Sequence, residues 1–166
     1  MDQICEYKVF IDKGKFSVSK IPWVFSPLRT HLVYDVKHNG WYKARLVANG
    51  NLTKVPIDSV YSGVVSLRGF CMCLFIAELN GLQLYATDIR DAYLEGFTSK
   101  RLYVKAGKEF GDQEGHLLIV SRSLYGLRTS GVRWSETLRQ CLTKLGFERS
   151  KCEDDIWIRD EGIIMS

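Results

Sequence analysis

The chain has no C-x-x-C pair, no repeat, no low-complexity tract and no apolar run of membrane-spanning length. Its five cysteines (Cys5, Cys71, Cys73, Cys141, Cys152) are an odd set without metal-ligand spacing, so neither a disulfide framework nor a zinc site is indicated. That usage reads as a reduced, intracellular chain, cytoplasmic or nuclear. No basic n-region leading into an apolar h-region opens the sequence, so it is expected to be neither secreted nor membrane-spanning by its own signals. Strong charge of one sign is missing too. Twenty-three basic against 19 acidic residues leave a net +4, a mild bias toward polyanions and less than the footprint of a self-sufficient nucleic-acid binder. What is present is 166 residues with 46% hydrophobic content, enough for a compact domain with a real core, or for part of a larger one.

Residues 1–20 alternate short apolar pieces with lysines and give no clear period, which predicts a loosely attached arm. Two β-rich runs, His31–Val36 and Trp41–Ala48, flank Asn39-Gly40, a pair suited to a tight primed turn, so a hairpin is expected over about residues 31–47. On its second strand Lys43 and Arg45 are two apart and share a face. Such a pair suits a triphosphate or a template phosphate; it would serve equally as solubilising charge on a strand edge. After a polar loop, Val64–Leu79 is nearly continuous apolar sequence closed by Asn80-Gly81, which predicts a buried helix with Cys71 and Cys73 on different faces. A strand Leu82–Asp88 is expected next, then strands at Arg101–Lys105 and His116–Val120. An amphipathic helix from about Val132 to Leu145 stops at Gly146, and a last strand covers Asp155–Arg159.

The chemistry concentrates at Leu84-Tyr85-Ala86-Thr87-Asp88-Ile89-Arg90-Asp91-Ala92-Tyr93. An apolar run ends in one acid, and a second acid three residues on precedes a small residue and an aromatic one. Carboxylates are hard oxygen donors of the kind Mg²⁺ takes. By themselves Asp88 and Asp91 would equally cap the strand end, with Tyr93 in the core.

From Ile21 to Arg159 the sequence resembles the reverse transcriptase region of copia-like long-terminal-repeat retrotransposons. The blocks carrying the resemblance run in order: Trp23-Val24-Phe25 with Tyr42–Ala48, Tyr61–Arg68, Thr87–Glu95, Ser123–Arg128 with Arg133-Trp134, and Gly146-Phe147 with Asp154–Trp157. The resemblance implies an RNA-directed DNA polymerase with Mg²⁺ or Mn²⁺ held by Asp88 and a backbone oxygen of Asp88 or Ile89. It places Tyr93 beneath the incoming sugar, where a ring admits deoxyribose and excludes a ribose 2′-OH. Lys43, Arg45, Tyr125 and Gly126 would meet the nucleotide, and Arg128 and Arg133 the nucleic acid. The implied partners are a primer–template of RNA or DNA, deoxynucleoside triphosphates and the remainder of a Pol polyprotein, with no membrane.

The implied fold is α+β, with residues 21–166 forming a fingers-like β-hairpin region and a partial palm. In that palm two helices pack on one face of an antiparallel sheet containing Leu82–Asp88 and Asp155–Arg159. Several positions depart from the family pattern: Asn49 replaces an Arg, Gly63 a Pro, and Arg128-Thr129 a Lys-Gln pair, and the loop from Asn51 to Tyr61 is short. The family's second metal motif, an aromatic-x-Asp-Asp hairpin, is not found before Ser166, and neither Glu153-Asp154-Asp155 nor Asp160-Glu161 replaces it. The expectation is a truncated polymerase domain, inactive as an isolated chain because two-metal chemistry needs carboxylates from both sides. The alternative is a non-catalytic remnant that at most binds nucleic acid.

Overall fold

The computed structural model describes residues 4, 6–52, 62–160 and 162–166. Tyr61, the short loop before it, Cys5 and Glu161 lie outside the described residues. The architecture is α+β, and the chain divides into two compact units, one of residues 1–60 with 91–134 and one of residues 61–90 with 135–166.

The first unit holds the main core. Strands β1 (Phe10–Lys15), β2 (Ser26–Pro27), β5 (Leu102–Lys105) and β6 (His116–Val120) form a sheet in the order β1-β6-β5-β2. Only the β2–β5 pairing is parallel. β6 lies inside the sheet, and four of its five residues are buried, which is why it reads as an unbroken apolar run rather than an alternation. Residues 10–15, expected in a loose arm, are instead the edge strand β1, and the adjoining Val9 is fully buried in the core with Leu118, Val120, Leu124 and Phe110. The exposed Asp12, Lys13 and Lys15 hid that strand from its hydrophobic pattern, as charge on a strand edge does.

β3 (Thr30–Val36) and β4 (Tyr42–Ala48) make the expected hairpin, paired from Thr30↔Ala48 to Val36↔Tyr42. Its turn differs from the two-residue primed form. Lys37 N–H donates to Trp41 O at 2.8 Å, Gly40 N–H donates to Lys37 O at 2.8 Å, and only Gly40 takes a positive φ, +78°. This is a three-residue loop with glycine in the left-handed position.

In the second unit α1 (Leu67–Leu79) starts at Ser66, whose hydroxyl accepts from Gly69 N–H at 3.0 Å. The Glu153 carboxylate in turn accepts from the Ser66 backbone N–H and, at 2.9 Å, from its hydroxyl, so a distant acid completes the cap. The helix ends on Gly81 (φ +62°), with Leu82 N–H donating to Ala77 O and Gly81 N–H to Glu78 O, a Schellman closure. α1 was expected to be buried. Only Gly69, Cys73 and Ala77, a stripe with four-residue spacing, are buried, while Leu67, Met72, Phe75 and Leu79 are exposed. Cys71 and Cys73 do face differently, one exposed and one buried, and the described cysteines are free thiols.

Leu82–Ile89 is the largest departure in the fold. It forms no strand and every residue in it is exposed. The antiparallel sheet of this unit is instead β7 (Glu148–Arg149), β8 (Ile156–Arg159) and β9 (Gly162–Met165), without the expected contribution from Leu82–Asp88. Two further α-helices are the short α2 (Ala92–Glu95), and α3 (Ser130–Lys144), which closes on Gly146 by the same pair of bonds, Phe147 N–H to Leu142 O and Gly146 N–H to Thr143 O. Among the described residues no helix is long and apolar enough to cross a membrane.

Candidate functional site

In the first unit, β4 ends where Ala48 N–H donates to Tyr125 O at 2.7 Å, and Val47 bridges Tyr125 in parallel. This pins the Ser123–Arg128 segment to the hairpin. Gly126 takes φ +87°, and a Cβ on it would lie 2.2 Å from Ala48 O and 2.8 Å from Val47 Cγ1. Backbone approach this close is open only to glycine.

The turn delivers the Tyr125 ring to Tyr93, with centroids 5.4 Å apart and planes at 65°, an edge-to-face contact. Tyr93 is presented by α2, which follows directly on Asp91, and Asp91 holds a left-handed backbone (φ +51°). The Asp91 carboxylate lies near the Tyr125 hydroxyl. Burial raises the pKa of that phenol, the Asp91 charge raises it further, and the positive charge of Arg45 acts in the opposite direction. Tyr125 therefore stays a neutral donor at physiological pH. Asp91 Oδ2 is buried without a hydrogen-bond partner among the described residues. A desolvated carboxylate oxygen in that state is costly.

Four of the expected site residues, Arg45, Tyr93, Tyr125 and Gly126, thus gather in one region together with Asp91. Asp91 was read only as a possible strand cap; the signal for it was its place as second acid in Asp88-x-x-Asp91-x-Tyr93. Lys43 and Arg45 share a face of β4. Lys43 sits directly opposite Asp35, and Arg45 makes an ion pair with Asp35 at 3.6 Å. Arg128 is exposed and donates to Asn51 O at 3.3 Å; Arg133 donates to Ser99 Oγ at 2.7 Å. Both arginines therefore have partners within the chain. The neighbouring Arg122, not singled out by its sequence, lies over the Phe97 ring at 4.3 Å and donates to Glu95 O at 2.9 Å.

Asp88 and Ile89 belong to the second unit and sit in the exposed Leu82–Ile89 segment. A carboxylate at Asp88 has the right chemistry for Mg²⁺. Among the described residues, however, no group of three His, Cys, Asp or Glu side chains converges, so the donor set does not by itself make a divalent-cation site, and no step is derived through one.

The reverse transcriptase (RNA-dependent DNA polymerase) family model matches residues 13–165. Among curated proteins the chain is similar to the Transposon Ty1-LR2 and Ty1-ML2 Gag-Pol polyproteins of Saccharomyces cerevisiae, 29% identical over 119 residues that make up 70% of this chain and 7% of each relative. The truncated transposon Ty1-A Gag-Pol polyprotein of the same organism matches at 29% over 70% of this chain and 10% of its own length. The chain thus spans a small fraction of the curated relatives it matches. No solved structure matches. A family match over nearly the whole length, carrying the residue blocks in the order read above, means that this chain belongs to the reverse transcriptase family as a copia-like domain.

Proposed function

We propose that the chain is the nucleotide- and template-holding portion of an RNA-directed DNA polymerase within a Gag-Pol polyprotein, and that alone it binds primer–template without extending it. The first unit serves as the fingers and the second as part of the palm. Lys43 and Arg45 hold phosphate by charge-assisted hydrogen bonds. Tyr93, held against Tyr125, lies under the sugar and turns away the ribose 2′-OH, so the substrates are deoxynucleoside triphosphates. Gly126 lets the backbone approach the nucleotide, and Arg128 and Arg133 track the nucleic acid. Asp88, with the backbone oxygen of Ile89, supplies one side of a Mg²⁺ or Mn²⁺ site completed by another part of the polyprotein.

The observation that carries this reading is the gathering of Arg45, Asp91, Tyr93 and Tyr125 around a glycine turn, from sequence blocks far apart in the chain. Primer extension by the purified chain on an RNA template with Mg²⁺ or Mn²⁺, beside Asp88→Asn, tests it together with fluorescence anisotropy on the same primer–template. Salt-sensitive binding without extension is expected. Extension that vanishes in Asp88→Asn would show that acids of this chain complete the site; absence of any binding would remove the assignment of Lys43, Arg45, Arg128 and Arg133. The alternative of a non-catalytic remnant is favoured by the exposed, unpaired state of the segment that carries Asp88. Extension regained on adding the rest of the polyprotein would exclude it.

A further inference from the structure

α1 buries only the narrow stripe of Gly69, Cys73 and Ala77. A helix that lies on a core by one stripe normally turns charged and polar residues outward. The outer side of α1 instead carries Leu67 (78% exposed), Met72 (54%), Phe75 (65%) and Leu79 (67%), together with the exposed Cys71. Between Leu67 and Leu79 the sequence has two charges, Arg68 and Glu78. Both are exposed, and neither makes an ion pair among the described residues. A helix that is apolar on both sides calls for a second neighbour.

The placement of the two charges bears on which neighbour that is. At 3.6 residues per turn, Arg68, Cys71, Phe75 and Glu78, spaced by three, four and three, form one seam on the side opposite Cys73. Leu67, Met72 and Leu79 flank it. Arg68 and Glu78 stand five residues before and five residues after Cys73, so a two-fold axis perpendicular to the helix at that level turns the seam onto itself end for end. In the antiparallel pair that results, Arg68 of each copy meets Glu78 of the other, and Cys71 of each meets Phe75 of the other. A single patch complementary to itself is what an isologous two-fold interface requires. A face meant for a different partner has no need of opposite charges set symmetrically about its middle. The charges also fix direction, since a parallel pair would set Arg68 against Arg68 and Glu78 against Glu78.

We infer that this face of α1 is a dimerisation surface on which a second copy of the chain packs antiparallel, with Phe75 and Cys71 at the centre and an Arg68–Glu78 pair closing each end. Opposite charges at the ends of an apolar seam select register and partner. The 13-residue helix is about 20 Å long. A contact confined to it falls at the small end of specific interfaces, so the dimer is weak, about micromolar or weaker, and its end pairs are sensitive to salt. The inference concerns the second unit alone and stands or falls independently of the polymerase reading.

Sedimentation velocity of the purified chain over a range of concentrations tests it, with the variants Arg68→Glu, Glu78→Arg and the exchanged pair Arg68→Glu/Glu78→Arg. The wild type should show a monomer–dimer equilibrium. Either single variant sets like charges together at both ends and should weaken dimerisation about ten-fold or more. The exchanged pair should restore it. Mixing the two single variants should restore it too, because each then meets its opposite at both ends. A base in the last turn favours the helix, so Glu78→Arg keeps the fold in place, and recovery on exchange or mixing excludes unfolding as the cause of the loss in Arg68→Glu. A wild type still monomeric at about 0.5 mM overturns the inference and leaves the face to another part of the polyprotein. Self-association that neither single variant weakens, or that neither exchange nor mixing restores, overturns it as well.

Discussion

Gly126 offers a sharp test because two separate penalties meet there and a second glycine in the same unit carries only one of them. At φ +87° any L side chain is strained, by about 1–2 kcal/mol, before its contacts are considered. A Cβ on Gly126 would also approach Ala48 O to 2.2 Å and Val47 Cγ1 to 2.8 Å. The first of these is backbone, and it belongs to the residue whose N–H donates to Tyr125 O. Relief therefore requires the loop to move off β4, which removes a hydrogen bond worth about 1 kcal/mol and disturbs packing at a further cost of about 1–3 kcal/mol.

Gly40 has a similar φ, +78°, but nothing lies within 4 Å of a Cβ built there. Gly40→Ala should accordingly cost about 1–2 kcal/mol, and Gly126→Ala about 3–6 kcal/mol when the three terms above are added. Gly126→Val should be worse, since a β-branched residue is further restricted in the left-handed region. Urea melts of the three variants, read by far-UV circular dichroism with the slope checked for constancy, measure the differences. Equal losses for Gly40→Ala and Gly126→Ala would refute the contact argument. In that case the glycine of the Tyr125-Gly126 turn would have to be explained by what approaches it from outside the chain.

Four other outcomes are expected. Glu153→Ala should destabilise the second unit by about 1 kcal/mol, the usual worth of an N-terminal cap, because it removes the acceptor of both the Ser66 N–H and hydroxyl; an unchanged urea midpoint would count against that role. Asp12 is held below its ordinary carboxylate value by hydrogen bonds from His116 and from Gly14 N–H, so its contribution is present above pH 3.8 and is lost as pH falls through the depressed folded value. Asp155 is raised by burial, so Asp155→Asn should stabilise the chain at neutral pH and lose that advantage as the medium is acidified toward the carboxylate range; melting temperatures across pH 3–7 check both signs. In a polymerase reconstituted with the rest of the polyprotein, Tyr93→Ala should admit ribonucleotides, and an unchanged ratio of deoxyribonucleotide to ribonucleotide incorporation would remove the gate.

What could be read from the sequence follows the range of the interaction that decides each feature. The carboxyl ends of the helices were legible because their determinants are local: Gly81 and Gly146 in left-handed closures each lie within a turn of what they terminate, whereas the start of α1 was set at Val64 and the Ser66 cap was not read. β6 was legible because burial on both sides leaves an apolar run. The hairpin was legible from Asn39-Gly40, although the turn type was not, since either residue tolerates positive φ and only Gly40 adopts it. Burial of α1 was misjudged for a different reason. An apolar run states what a helix could bury, whereas the buried stripe of Gly69, Cys73 and Ala77 is set by how closely neighbours approach. In the site, Arg45, Tyr93, Tyr125 and Gly126 were reached through residue blocks whose spatial convergence no local pattern encodes. Asp91 was undervalued because nothing in the sequence says that it will lie near the Tyr125 phenol.

Leu82–Ile89 shows where that logic ends. Its composition is that of a strand, yet a strand exists only with a partner that accepts and donates along its backbone. Pairing is non-local, so propensity can specify the segment without specifying the neighbour. Among the described residues no neighbour takes that place, and the segment lies fully exposed, Leu82, Leu84 and Ile89 included. A partly apolar backbone outside any ladder is a state in which added β-structure is favourable, because pairing satisfies both the polar backbone and the apolar side chains. The position of Asp88 is therefore fixed by the motif in which it stands and not yet by a ladder. A carboxylate on an unpaired segment is a poor fixed ligand, since preorganisation is what gives electrostatic stabilisation its value in phosphoryl transfer. The same physical fact underlies both observations in the second unit: among the described residues neither the Leu82–Ile89 backbone nor the Asp88 carboxylate finds a partner.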